Sequence, residues 1–69
     1  MPDSVYKIIE LVGTSTDSWE AAAKAAVVKA AKTLRDLRIA EVSQLDLSLE
    51  DGKIVAYRAK VKLSFKYED

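Results

Sequence analysis

The sequence predicts an α+β domain with the element order β-α-β-β, in which a three-stranded antiparallel sheet wraps around one helix. Three stretches indicate it: a strictly alternating one at 54–67, an alanine-rich one with helical spacing at 18–37, and β-branched residues at 5–12. With 69 residues, the chain is expected to form a single domain over 1–69. A domain this small has a marginal core, and without cysteines it has no disulfide, so oligomerisation is the favoured support.

Charge and composition argue against several classes of function. The 11 basic and 11 acidic residues cancel, whereas nucleic-acid binding rests on a basic excess. No run approaches the roughly 18 apolar residues of a membrane span, and no signal-peptide core is visible, so we expect a soluble, cytoplasmic protein. An enzyme is not expected, because histidine and cysteine are absent and no carboxylate or lysine stands in a recognisable catalytic pairing.

Val5 to Val12 is predicted to be the first strand, after a short lead-in from Met1 to Ser4. Both of its faces are mainly apolar. Such a strand is either central and covered twice, or covered on its second face by another subunit. Because one helix supplies only one cover, we expect the second subunit.

Residues 13–18 are predicted to form a turn, with Asp17 as the N-cap and Glu20 completing a capping box. A helix is predicted from Ser18 to about Leu37. Trp19 is interpreted as a plug of the core, and ligand stacking by its ring is the alternative. The apolar positions recur at three and four, and they are Trp19, Ala22, Ala23, Ala26, Val27, Ala30, Leu34 and Leu37.

Ile39 to Glu50 is predicted to be the second strand, and its apolar positions change parity part-way along. The change predicts a bulge or bend between Val42 and Gln44. The hairpin turn is at Asp51-Gly52. A two-residue loop would set leucines against lysines, so we expect a three-residue loop, residues 50–52, with Gly52 left-handed.

Ile54 to Tyr67 is predicted to be a strand with one buried and one solvated face. Its 14 residues span roughly 46 Å at about 3.3 Å per residue. No single helix of this chain covers an apolar row of that length, so something outside the chain must cover the rest. Asp46 and Glu50 are expected to share the solvated face and form cross-strand ion pairs with Arg58, Lys60 and Lys62.

Together these residues resemble the dodecin family, over nearly the whole chain. The resemblance rests on Tyr6-Lys7, Ile9 to Ser15, Ser18-Trp19-Glu20, Ala30, Thr33-Leu34-Arg35, Ala40-Glu41-Val42 and Ser64-Phe65. It implies a β-α-β-β subunit that assembles with copies of itself as a hollow homo-dodecamer and belongs to a family of flavin binders. The exposed strand faces would then pack against neighbours.

The chain departs from the flavin-binding dodecins at two positions. Those proteins carry a flavin-stacking tryptophan where this chain has Ile39, and a flavin-bonding glutamine where it has Arg58, after Tyr57. Isoleucine has no π face and a guanidinium accepts no hydrogen bond, so flavin stacking is expected to be lost. By family position the ligand pocket comprises Ile39, Tyr57, Arg58 and Gln44, and the departures look more like the calcium-binding branch.

The expected function is therefore a non-enzymatic dodecamer that stores or buffers a small ligand, either flavin-related or a cation. The alternative is a structural protein whose assembled shell binds a protein partner. Calcium or magnesium would suit hard carboxylate oxygens if symmetry brings copies together. The candidates are Asp17, Glu41, Asp46 and Glu50, each of which is also interpretable as a cap or an ion-pair member.

Overall fold

The computed structural model describes residues 3–67 and has the predicted fold class, whereas Met1 and Pro2 of the predicted lead-in lie outside the described residues. The sheet order is β1-β3-β2, and both neighbouring pairs are antiparallel. The last strand of the chain is therefore central, and β1 and β2 are the two edges. The elements are β1 (Tyr6–Ser15), α1 (Trp19–Ala31), β2 (Leu37–Glu50) and β3 (Lys53–Lys66).

The core is thin and lies between α1 and the central strand. Its buried residues come from two elements, and they are Ala22, Ala26 and Ala30 of α1 and Ala59, Val61 and Leu63 of β3. Since the helix residues that are buried in this core are all alanines, the helix backbone comes close to the sheet. The helix packs on β1 and β3 and barely touches β2. At 13 residues α1 is too short to cross a membrane, and residues 3–67 contain no other helix that could.

Two apolar surfaces stay uncovered in a single chain. On the helix side of the sheet, β2 exposes a row comprising Val42, Leu45, Leu47 and Leu49. On the opposite face, which we call the outer face, β1 exposes Tyr6, Ile8 and Val12. Both faces of β1 are apolar, and the single helix covers only one of them. The other face is therefore left in solvent.

The first strand is longer than predicted, and the helix cap lies one residue later. Residues 13–15 belong to β1 and not to the predicted turn, because they pair with residues 57–59 of the long central strand. Asp17 is not the N-cap but the residue before it, and its backbone N–H donates to the hydroxyl of Ser15. Ser18 caps the helix instead, and its Oγ accepts from the N–H of Ala21 at 3.0 Å.

The helix ends at Ala31, well before the predicted end near Leu37. The backbone N–H groups of Thr33 and Leu34 both donate to the carbonyl of Ala30, which closes a turn. Leu34 and Leu37 still pack against the core, but from this turn and from β2. The apolar spacing therefore continues past the helix, and it does not mark the helix end.

The hairpin has a two-residue loop, so the predicted three-residue loop is wrong. Glu50 pairs with Lys53, and Asp51 and Gly52 have φ angles of 52° and 75°. Two left-handed residues in the order Asp-Gly are typical of the tight hairpin turn that matches strand twist. The left-handed conformation expected for Gly52 is confirmed.

Bulges, not the loop, bring the leucines of β2 opposite the apolar row of β3. A register shift between Ser48 and Leu49 leaves Val55 out of the β2–β3 pairing, after which Leu47 pairs with Tyr57 as expected. A second shift between Val42 and Gln44 confirms the predicted bulge. Each bulge moves the side chains to the other face, because strand side chains alternate.

Replacing Gly52 with valine is expected to lower the thermal midpoint more than replacing Asp51 with alanine. Both positions are left-handed, but a β-branched side chain resists positive φ more strongly than alanine, and the cost is about 1–2 kcal/mol. Asp51→Gly is the matched control and should not destabilise the chain, since glycine adopts this conformation freely. Equal thermal shifts for Gly52→Val and Asp51→Ala would contradict the left-handed turn.

Candidate functional site

The outer face is dominated by a basic row on the central strand. Arg58, Lys60 and Lys62 occupy alternate positions of β3 and point away from the buried Ala59 and Val61. Each lies between one residue of β1 and one of β2. The pairs of neighbours are Thr14 and Asp46 for Arg58, Val12 and Gln44 for Lys60, and Glu10 and Glu41 for Lys62.

Arg58 and Asp46 form a two-pronged ion pair across the β2–β3 ladder. Arg58 Nε donates to Asp46 Oδ1 at 2.7 Å, and Arg58 Nη2 donates to Oδ2 at 3.0 Å. Within residues 3–67 this is the one salt bridge, so the expected pairing of Glu50 with the basic row is not found; Glu50 lies opposite Lys53. The parallel fork fixes the direction of the guanidinium.

The pair also shifts the pKa of both groups. The hydrogen bond from Arg58 holds the pKa of Asp46 below its usual 3.8, and the charges of Arg58 and Lys60 act in the same direction. The same hydrogen bond raises the pKa of Arg58. Because the carboxyl pKa is lowered in the folded state, the stabilisation is fully present above pH 3.8 and is lost as the pH falls through the lowered pKa.

Trp19 connects the helix start to the strand that carries Asp46. Its indole Nε1 donates to the backbone carbonyl of Asp46 at 3.0 Å, and its ring meets Tyr57 edge to face with centroids 5.3 Å apart. The residue is 37% exposed, so the prediction of a core plug is wrong. The two residues are 27 apart in sequence, so no local pattern predicts this contact. The sequence indicates only that the indole N–H of Trp19 should find an acceptor.

A separate apolar groove of about 330 Å³ lies between β1 and α1. Its lining consists of Leu11, Val12, Gly13, Thr14, Ala25, Ala26 and Lys29. It contains none of the predicted ligand residues and offers few polar groups. The groove follows from the small side chains that let the helix approach β1, and we do not assign the ligand site to it.

Comparison with known proteins decides the family. The dodecin family model matches residues 5–68, nearly the whole chain. The chain belongs to the dodecin family. Calcium dodecin of Mycobacterium tuberculosis is 43% identical over 63 residues, which cover 91% of this chain and 89% of that protein. Dodecin of Thermus thermophilus is 38% identical over 65 residues and 94% of each chain.

Solved dodecin structures share the fold. Dodecin from Streptomyces coelicolor superposes with a TM-score of 0.91 at 38% identity, covering 100% of this chain and 99% of that chain. The calcium dodecin structure from Mycobacterium tuberculosis, described as a calcium-chelating antigen with a novel calcium-binding site, superposes with a TM-score of 0.84. Its identity is 42%, over 94% of this chain and 93% of that chain.

The four ligand-pocket residues expected from the family resemblance do not all meet within one chain. Ile39 pairs with Ser64, six residues along β3 from Arg58, which is a separation of roughly 20 Å at about 3.3 Å per residue. Gln44 lies opposite Lys60, next to Arg58 on the outer face, whereas Tyr57 is on the helix side. A pocket that contains both Ile39 and Arg58 therefore needs residues from two chains.

The four carboxylates proposed for a cation are likewise dispersed. Asp17 is in the β1–α1 turn and Glu50 is at the hairpin, whereas Glu41 and Asp46 lie on the outer face next to Lys62 and Arg58. Within the described part of one chain, no three metal-ligating side chains come together. A cation site built from these residues would also have to combine different subunits.

Proposed function

We propose that this dodecin is a non-enzymatic, cytoplasmic homo-dodecamer that holds a small ligand between its subunits, and that the ligand is a divalent cation in preference to a stacked flavin. The observation that carries the proposal is the state of the two flavin positions. Ile39 is 66% exposed and offers no aromatic ring, while Arg58 has donors only and is already engaged with Asp46.

Assembly is supported by the uncovered surfaces of the single chain. The row on β2 and the outer face of β1 expose large apolar side chains between 37% and 63%. Rows of exposed large apolar side chains of this kind are typical of an interaction site. Within residues 3–67 the core has six buried residues, three of them alanines contributed by the helix. A core this small adds a thermodynamic reason for copies to associate.

The choice of a cation is supported by similarity and by the remaining carboxylates. The relative that is 43% identical carries the name calcium dodecin. Asp46 is occupied by Arg58, which leaves Glu41, Glu50 and Asp17 as the oxygen ligands that calcium or magnesium would use. Their dispersal within one chain supports a site between subunits.

The unmodified protein is expected to quench riboflavin fluorescence weakly or not at all at micromolar concentration. A lost stacking contact and a lost hydrogen bond are worth about 1 kcal/mol each, so binding should be at least about 30-fold weaker than in a site that has both. Ile39→Trp combined with Arg58→Gln should restore quenching.

The single variants are the matched controls, and neither should quench as strongly as the double variant. Tight quenching by the unmodified protein would mean that another aromatic side chain, such as Tyr57, stacks on the ring. No gain in a double variant that assembles normally would mean that the scaffold no longer has a flavin-shaped pocket.

A further inference from the structure

The outer face contains the components of an oxyanion site in which a single carboxylate engages the guanidinium. Arg58 and Lys60 occupy successive positions on the same face of β3, so their stems start about 7 Å apart. Both side chains are long enough to reach one tetrahedral anion from that spacing. Thr14 flanks Arg58 on β1, and Gln44 flanks Lys60 on β2, which adds a hydroxyl and an amide as hydrogen-bond donors.

Asp46 is the acidic residue that opposes this arrangement. Its carboxylate accepts two hydrogen bonds from the guanidinium of Arg58, at 2.7 and 3.0 Å. Lys60 lies between Val12 and Gln44, so neither of its partners in the two ladders is acidic. Farther along the row, Glu10 and Glu41 both flank Lys62, so that position is balanced without help from Asp46.

The backbone carbonyl of Asp46 is hydrogen-bonded as well as its side chain. The indole of Trp19 bonds the Asp46 carbonyl at 3.0 Å from the helix side of the sheet, while the carboxylate reaches Arg58 on the outer face. Asp46 is therefore bonded at two points, at its carbonyl by Trp19 and at its carboxylate by Arg58.

We propose that Asp46 is a specificity-determining residue, which keeps the site around Arg58 and Lys60 closed to phosphate-type oxyanions. The inference rests on the proposed function only in taking Arg58 as a ligand-pocket residue. It deepens that function, because a pocket whose guanidinium is engaged rejects anionic ligands and leaves the subunit boundary to cations. Removing the carboxylate charge turns Arg58 and Lys60 into an anion-binding pair.

The test is calorimetric titration of inorganic phosphate into the assembled protein, at low ionic strength and near-neutral pH. Asp46→Asn should bind phosphate at least about tenfold more tightly than the unmodified protein, because a charge-assisted hydrogen bond to the freed guanidinium becomes available. The chain has one tryptophan, and its contact with Asp46 makes Trp19 emission a second readout of the same site. Asp46→Ser provides an independent variant if the asparagine variant assembles poorly.

The combined variant Asp46→Asn with Arg58→Gln is the matched control, and it should lose the gain. Equal phosphate affinity in the unmodified protein, in Asp46→Asn and in Asp46→Ser would overturn the proposal. A gain that survives in the combined variant would also overturn it, since Lys60 alone would then hold the anion. Calcium titration of the same samples separates the two ideas: absent calcium binding contradicts the cation function and leaves the phosphate result intact.

Discussion

Replacing Gly13 with alanine is expected to destabilise the chain by about 3 kcal/mol or more, and valine there should prevent folding. A Cβ at this position would lie 2.0 Å from the carbonyl oxygen of Ala22, and 3.1 Å from the Cβ of Ala26. The nearest obstacle is helix backbone, which cannot rotate aside. To admit one methyl group, α1 would have to move away from β1 and β3 along its whole contact. Thermal unfolding followed by circular dichroism measures the loss.

Gly52→Ala is the control that separates a steric clash from the general cost of losing a glycine. Gly52 has a φ of +75°, and a Cβ on this residue would meet nothing within 4 Å. Alanine there therefore encounters backbone strain of about 1 kcal/mol and no clash. A thermal shift for Gly13→Ala no larger than that of Gly52→Ala would contradict the close approach of helix and sheet.

Leu47→Asp is expected to abolish assembly. Leu47 lies in the uncovered row of β2, opposite Tyr57 and 37% exposed in the single chain. If a neighbouring subunit covers the row, an aspartate at its centre becomes a buried charge without a partner, which costs several kcal/mol. Size-exclusion chromatography with light scattering should show subunits or small fragments of the assembly in place of the full particle.

Ser48→Asp adds the same charge one residue away, but on the outer side of β2, where Ser48 pairs with Ala56. This control should leave the particle size unchanged. A Leu47→Asp protein that assembles fully would show that the β2 row faces solvent in the particle, and the interface would have to be sought on the outer face of β1.

The element order is predictable from the sequence because each element carries its own local pattern. Alternation in 54–67 needs no tertiary information to indicate a strand. The parity change around Val42 indicates a bulge, which the register shift between Val42 and Gln44 confirms. These features depend on side-chain period alone, and the period is a local property.

The predicted boundaries and hairpin are wrong where distant contacts decide the outcome. Residues 13–15 are strand because β3 is long enough to pair with them, which no local propensity shows. The three-residue loop is wrong because the register can be corrected either in the turn or by a bulge at Val55, and sequence parity does not distinguish these.

The candidate site is only partly predictable for the same reason. The pairing of Asp46 with Arg58 follows from the hairpin, and it is confirmed. The hydrogen bond from Trp19 to the carbonyl of Asp46 joins residues far apart in sequence. Its acceptor is a backbone carbonyl, which every residue has, so the identity of Asp46 does not predict it. Ile39 and Arg58 are grouped by family position, yet they lie at separate points of one sheet, so their grouping depends on a second chain.

Native mass spectrometry of the protein purified from its own host tests the central claim most directly, because one spectrum reports the number of subunits and the bound mass together. The account predicts a dodecamer that carries a divalent cation, removable by a chelator, and no flavin. A folded monomer at micromolar concentration, or a particle that carries a stoichiometric flavin, would contradict it.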